Sequence, residues 1–312
     1  MSDLPNNIAV LTHLKDKVHK WKNIAILGGV FSFLLLLKMV AGAGDIGASA
    51  IDGDYIANIK IDGMILEDDY RSEVLEKVAD EDAIKAVVVD IDSPGGGIVG
   101  SEILFSELKT IAAKKPLVVV MGSVAASGGY MAAIASDYII AHNGTLTGSI
   151  GVLMQSAEFT DLASKVGVKL HTYKSAPLKA SPSPFEKSNP LVDRVIDESI
   201  KDSAEFFFDL VRERRGKKLN VQEFGGKLFD GRVFTGRQAL QAGLIDEIGG
   251  KEQALAYLSK VHQVDTKSLK MREVPTVKTE DNFLQKIFGF LPFSNSAKAL
   301  DSKNGIMAVL SL

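Results

Sequence analysis

Cysteine is absent from this 312-residue chain. That excludes disulfides, thiolate nucleophiles and cysteine-ligated zinc. It does not decide the compartment, because an exported protein can simply lack cysteine. Histidine is scarce: His13, His19, His142, His171 and His262 are all there is. No HExxH pattern or clustered His/Asp set is present, so neither a metal nor another cofactor is expected. A triad of Ser127, His142 and an aspartate has no supporting spacing. Charge of one sign is lacking too. Lysine and arginine total 36 against 39 aspartates and glutamates, a net −3, which makes no case for a nucleic-acid partner. Internal repeats and low-complexity tracts are also missing.

What the chain does have is an ordinary globular composition, 46% hydrophobic and 24% charged, long enough for one substantial core with appendages. Near its start, IAILGGVFSFLLLL (24–37) runs on through Lys38 to Gly44. A stretch of roughly 20 apolar residues matches one bilayer, and Lys38 near its end can snorkel to the interface. Lys15, Lys17, Lys20 and Lys22 precede it, with Trp21 at the edge. By the positive-inside bias the N-terminus stays cytoplasmic and the remainder is exported. A cleaved signal peptide is the competing reading, because AGAG (41–44) resembles a small-residue cleavage site. The long preamble and long apolar run favour a retained anchor. The expected division is an N-terminal cytoplasmic segment (1–23), a transmembrane anchor (24–44), a Gly-rich linker (45–54), a folded domain (55–262) and a C-terminal extension (263–312).

Within 55–262, strand-like and helix-like stretches alternate. YIANIKIDGMI (55–65) reads as a strand, 70–80 as a helix, and AVVVDID (86–92) as a buried parallel strand. Next come a helix over 99–113, the strand PLVVVMGSV (116–124), a short helix over 128–136 and the strand YIIAH (138–142). TGSIGVL (147–153) and VKLHTYK (168–174) read as strands around a helix near 157–166. A long helix covers 190–215, and another starts at Thr235. Residues 263–281 read as a polar loop, and NFLQKIFGFLPF (282–293) as an amphipathic segment suited to the core, a membrane surface or assembly. The repeated alternation predicts an α/β domain with much parallel sheet.

Two residues carry the chemistry. Ser127, in MGSVAASGGY (121–130), stands where an apolar strand gives way to a helix. Small neighbours admit a substrate backbone, and the Gly128 amide can donate to a developing oxyanion. The pattern resembles a nucleophile elbow without being GxSxG. A helix N-cap is the plain alternative. DSPGGG (92–97) comes directly after a buried strand; its glycine amides suit the second half of an oxyanion hole, or a plain turn. No GK[ST] succeeds it, which disfavours a phosphate loop. Lys179, in KSAPLKASPSP, is the candidate base. A lysine has an ordinary pKa of roughly 10.4 and must be desolvated to accept a proton; Ala176, Pro177, Leu178 and Ala180 suit that. Ser149, in TGSIGV, is a candidate to hydrogen-bond and orient the amine, with an ordinary strand serine as the alternative. Lys174 is the competing base. Asp52, Asp54, Asp62 and the run Glu67–Asp69 read as solvated loops or caps.

Five segments in register, DSPGGG (92–97), GSVAASGGYMAA (122–133), TGSIGV (147–152), YKSAPLKASPSPF (173–185) and DGRVFTGRQALQAGLIDEIGG (230–250), resemble the signal peptide peptidase A family of serine–lysine peptidases, in its short single-domain form. The resemblance implies a Clp protease/crotonase-like α/β fold over 55–262, preceded by the N-terminal transmembrane helix. It implies Ser127 as nucleophile, Lys179 as general base, Ser149 as lysine-positioning residue, and Gly96 and Gly128 as oxyanion donors. It further implies remnant signal peptides as substrates, a ring-like homo-oligomer in which adjacent subunits complete the dyad, and a single-pass location in the bacterial inner membrane with the catalytic domain extracytoplasmic. Ala180 departs from the family, where a polar residue is expected after the lysine. The apolar tail IMAVLSL (306–312) looks substrate-like. A crotonase-like acyl-CoA enzyme and an inactive membrane scaffold are the rival functions.

Overall fold

The computed structural model describes residues 53–222 and 224–277, together with Lys22, Gly28 and Gly29. The expected anchor, the segment 282–293 and the tail 306–312 therefore fall outside the described residues, apart from two glycines of the anchor. Among the described residues no helix is long and apolar enough to cross a membrane. The chain divides into two units, Met1–Asp54 and Tyr55–Leu312, and the second holds the sheet and every candidate site residue.

It opens with β1 (Tyr55–Ile65), α1 (Asp69–Asp80), β2 (Ile84–Gly96), α2 (Ile98–Lys114), β3 (Leu117–Ala126), α3 (Gly128–Ala133), β4 (Tyr138–Ala141) and β5 (Leu146–Gly148). Then come α4 (Thr160–Lys165), α5 (Pro190–Arg215), β6 (Val233–Thr235), α6 (Gly236–Ala242), β7 (Glu247–Ile248), α7 (Lys251–His262) and β8 (Lys270–Val274). The strands form one mixed sheet in the order β6-β5-β3-β2-β1-β8, with β4 beside β3 and β7 beside β4. Every pairing is parallel except β5 with β6.

The apolar run in β2 explains its central place. Val87, Val88 and Val89 are all fully buried, as a strand covered on both faces requires. Val87, Val89 and Ile91 face the main core with Leu75 of α1, Leu104 and Leu108 of α2 and Phe207 of α5. Ala86 and Val88 face a smaller core closed by Ala254 and Leu258 of α7. Local signals set the helix ends. Asp68 caps α1 by accepting from the Arg71 amide, and Asn189–Pro190 starts α5 with the Asn189 side chain accepting from Leu191 and Val192. Thr235 and Gln238 form a capping box on α6.

Two expected elements differ. VKLHTYK (168–174) is not a strand: Val168 and Leu170 are half exposed and no neighbouring strand pairs with them, and a strand needs a ladder. Conversely, part of the expected polar loop 263–281 is β8, which pairs in register with Tyr55–Ile59. Its polar residues suit an edge strand, and Lys60 of β1 bonds Glu273 at 2.8 Å. The strand expected over 147–153 is shorter, ending at Gly148.

One buried ion network ties the end of α5 to the segment before β7. Arg215, at the end of α5, donates to both oxygens of Asp246 at 2.8 and 3.0 Å. Asp246 also accepts from Lys218 and from the Ile139 amide, each at 2.8 Å. Burial opposes ionisation of this carboxyl, yet the Arg215 and Lys218 charges and hydrogen bonds outweigh it and hold Asp246 below the ordinary carboxylate range.

Candidate active site

The surroundings of Ser127 are made by a change of partner along β3. Val118–Met121 pair with β4, whereas Val124–Ala126 pair with β5. On the other edge the register with β2 jumps, from Ile91 opposite Met121 to Ser93 opposite Ala125. The surplus residues of β3 form a bulge, which bends the strand and re-aims its C-terminal end. Asp92 fills the bend: its carboxylate accepts from the Val124 amide at 3.0 Å. A side chain at Gly122 would meet that carboxylate at 3.0 Å. Thr145 and Thr147, both buried, donate to the Gly122 and Ala125 carbonyls at 2.7 and 2.6 Å.

Ser127 emerges from this braced strand in a rare conformation, φ 52° and ψ −120°. A non-glycine residue persists there only where its surroundings impose it. Here its N–H donates to Gly148 O at 2.8 Å and its carbonyl accepts from Met131 N at 2.9 Å. Ser127 occupies the cap position of α3, but its side chain makes no capping bond. The capping alternative therefore fails, and Ser127 is partly exposed with no side-chain hydrogen bond.

The glycine loop lies directly against it. A Cβ on Gly95 would come within 2.7 Å of Gly128 N and 2.9 Å of Ser127 Cβ. On Gly128 it would strike Ser101 Oγ at 2.1 Å and stand 3.3 Å from Gly96 N. Distances below 3.0 Å leave room for hydrogen only, so DSPGGG and SGG meet as bare backbone. Gly96 pairs with Ile65 of β1, and it is Gly97 N–H that donates to Ile65 O at 3.0 Å. In such a ladder the paired residue's own N–H turns to the opposite side, here the side of Gly128 and Ser127.

Ser149 is next to Gly148, the residue that receives the Ser127 amide. Its own N–H donates to Arg232 O at 2.8 Å, and its φ is 48°. Lys179 is placed differently. It lies in a turn, its N–H donating to Ala176 O at 3.1 Å, and its side chain is exposed with no hydrogen-bond or ion-pair partner among the described residues. Ser127, Gly128, Gly96 and the approach to Ser149 are thus brought together within the chain, while Lys179 stands on the surface. Lys174, the competing base, is largely buried and ion-paired to Glu186, with Ser181 Oγ at 3.1 Å. The Lys174 hydrogen bond holds the Glu186 carboxyl below its ordinary range.

His142 is exposed and lines a hollow of about 480 Å³ with Lys60, Asp62, Asp90, Asp92 and Lys251; no hydrogen bond joins it to Ser127. Among the described residues no His/Asp/Glu cluster is arranged to hold a metal. Sequence reasoning passed over the buried hydroxyls, Ser93, Ser101, Thr145 and Thr147. Their signal was available: small hydroxyl residues inside otherwise apolar or glycine-rich runs, where an unpaired hydroxyl costs stability and so must hold something.

A serine held at positive φ at a strand-to-helix turn, its side chain making no capping bond and its backbone packed against a glycine loop, is an arrangement suited to a serine hydrolase that works by acyl transfer. Comparison with known sequences agrees and narrows the class. The chain belongs to peptidase family S49, whose sequence model matches residues 109–265, and it is a serine peptidase. A protein assigned as a protease in Synechocystis sp. is 33% identical over 75% of this chain and 83% of its own length. One assigned as signal peptide peptidase SppA in Enterococcus faecium is 38% identical over 60% of this chain and 54% of its own length; the chain spans about half of that relative. Among solved structures, the 1510-N membrane-bound stomatin-specific protease with a substrate peptide aligns over 77% of this chain and all of its own, at 15% identity and a TM-score of 0.47.

Proposed function

We propose that this chain is a membrane-anchored serine endopeptidase that cleaves remnant signal peptides or other apolar, membrane-derived peptides through a Ser127–Lys179 dyad. The observation that carries the reading is the strained, uncapped Ser127 packed against the Gly95–Gly96 backbone. The substrate class comes from the name of the Enterococcus faecium relative, and apolar peptides released at a membrane fit a domain (55–262) tethered by residues 24–44, with 1–23 cytoplasmic, 45–54 a linker and 263–312 an extension. The fold reading that accompanies it is Clp protease/crotonase-like, and the location is the bacterial inner membrane with the catalytic domain outside the cytoplasm.

In the mechanism Ser127 Oγ attacks the peptide carbonyl while the Lys179 amine takes its proton. The oxyanion lies between the Gly96 and Gly128 amides, whose fixed direction stabilises charge as it develops. The lysine then gives its proton to the leaving amine, and water hydrolyses the acyl-enzyme, returning Ser127. Ser149 orients the amine. An extended substrate adds itself to the backbone beside the glycine loop.

A lysine serves as base only when desolvated, and the exposed surroundings of Lys179 are not dry within one chain. Leu153 and Tyr173 on the same arm are 77% and 94% exposed, and α4 buries no residue. Such apolar exposure is suited to cover by a second copy, so the dyad is completed between subunits of a ring-like homo-oligomer. The test is hydrolysis of a fluorogenic apolar peptide by the full chain in detergent, beside Ser127→Ala and Lys179→Ala. Both variants should be inactive while folded and assembled. Activity surviving in Ser127→Ala would sink the reading.

A further inference from the structure

Ser101 is a buried hydroxyl that the mechanism above does not use. It lies in the first turn of α2 and is 1% exposed. Its O–H donates to Gly97 O at 2.8 Å. That carbonyl already accepts the Ser101 N–H at 3.0 Å, so the helical turn is closed without the hydroxyl. The other side of the same oxygen faces Gly128: a Cβ there would lie 2.1 Å from Ser101 Oγ and 3.0 Å from Ser101 Cβ. The hydrogen that Gly128 carries in that direction therefore points at a Ser101 lone pair, the geometry of a Cα–H···O contact. The same direction passes 3.3 Å from Gly96 N.

We propose that Ser101 is a positioning residue for the oxyanion pocket, its hydroxyl wedged between the Gly97 carbonyl and Gly128 so that the spacing of the Gly96 and Gly128 amides is fixed. The proposal rests on the serine-peptidase reading of Ser127. Ser101 is too buried to touch substrate, so it acts only through the two glycine segments. Nothing else but backbone fills this contact, because every other member of it is glycine. Removing the oxygen leaves a one-atom gap under Gly128. The two amides then lose their common reference, and donors aimed at a developing oxyanion lose effect steeply with displacement.

The experiment measures steady-state hydrolysis of the fluorogenic apolar peptide by the full-length wild type, Ser127→Ala and Ser101→Ala, with thermal unfolding of each. For Ser101→Ala, kcat should fall roughly tenfold while KM stays within about twofold and unfolding is little changed. A kcat within about twofold of wild type, or a loss carried by KM or by unfolding, overturns the proposal. Glycine-selective ¹⁵N labelling reads the same contact without turnover. The Gly96 and Gly128 amide resonances should move in Ser101→Ala while Gly144, which has open space around it, stays put. If the wild type shows no Ser127-dependent turnover, the peptidase reading fails on its own account, and the glycine resonances alone decide Ser101: unmoved peaks overturn its role.

Discussion

The two members of the proposed dyad sit in regions built on opposite principles. Ser127 follows a strand in which Met121 and Ala125 are fully buried. Its own backbone is bonded on both sides, and its neighbours are glycines with no space for a methyl. Lys179 belongs to a stretch, 152–189, in which large apolar side chains face water and the only helix buries nothing. One chain thus builds the proposed nucleophile and its proposed oxyanion amides with no slack and leaves the proposed base on an exposed arm. On the proposed mechanism preorganisation is divided: the groups that must be rigid are supplied by the fold, and the group that must be dry needs a second surface.

Complementation between subunits breaks this comparison most sharply and should give the largest effect. Ser127→Ala and Lys179→Ala should each lose more than about a thousandfold in kcat/KM, as removal of a nucleophile or its base does. Co-assembled from an equal mixture, the two inactive chains should regain roughly a quarter of the wild-type rate if a site takes its serine and lysine from adjacent copies in a closed ring. A dyad formed within one chain would regain nothing. Hydrolysis by the refolded mixture, against each variant alone, decides between them.

The next effect tests the rigid side alone. Gly128→Ala places a methyl 2.1 Å from Ser101 Oγ, so the amide must move or the loop must open. Activity should drop on the order of a hundredfold, the scale of losing one oxyanion donor. Gly144→Ala, with nothing within 4 Å, is the control and should retain near-full activity. Equal losses at both positions would mean that the tight contact has no special part in catalysis.

These contrasts bear on what could be read from the sequence. The valine-rich runs of β2 and β3, the Asn-Pro start of α5 and the Thr235 capping box are local signals, and the elements lie close to where those signals put them. The place of Ser127 and Gly128 at a strand-to-helix turn was legible because a strand, a small-residue turn and a helix succeed one another directly. The bulge of β3 was not, because it depends on which strand lies beside it, and β4 and β5 become its neighbours only in three dimensions. The arm misled for a related reason. Val168 and Leu170 alternate as a strand should, but alternation specifies a face and does not supply a partner. The strand β8 hid because an edge strand can be as polar as a loop.

A third prediction separates the buried ion network from the site. Asp246→Asn leaves Arg215, 2% exposed, without its carboxylate. Breaking such a buried pair costs about 3 kcal/mol or more, seen as a lower unfolding midpoint. The sign with pH comes from the lowered Asp246 carboxyl. Its stabilisation is fully present above the ordinary unfolded value of about 3.9 and is lost as pH falls through the still lower folded value. The gap between wild type and Asp246→Asn should therefore be constant near neutrality and close below about pH 4. A gap that widened on acidification would reverse the assignment.

The smallest effect belongs to Lys174, and it sharpens the distinction inside the arm itself. Lys174 and Lys179 belong to one exposed segment, yet Lys174 is held by Glu186 and Ser181 while Lys179 is bound to nothing described. An ion pair this near the surface contributes little, so Lys174→Met should loosen the arm slightly and lower kcat/KM by only about two- to threefold. Its pH–rate profile should keep the wild-type shape, because the base is untouched. Lys179→Met in the same assay should abolish turnover. Should Lys174→Met instead remove activity and Lys179→Met spare it, the base is the paired lysine, the site closes within a single chain, and the division between a rigid nucleophile and a waiting base dissolves.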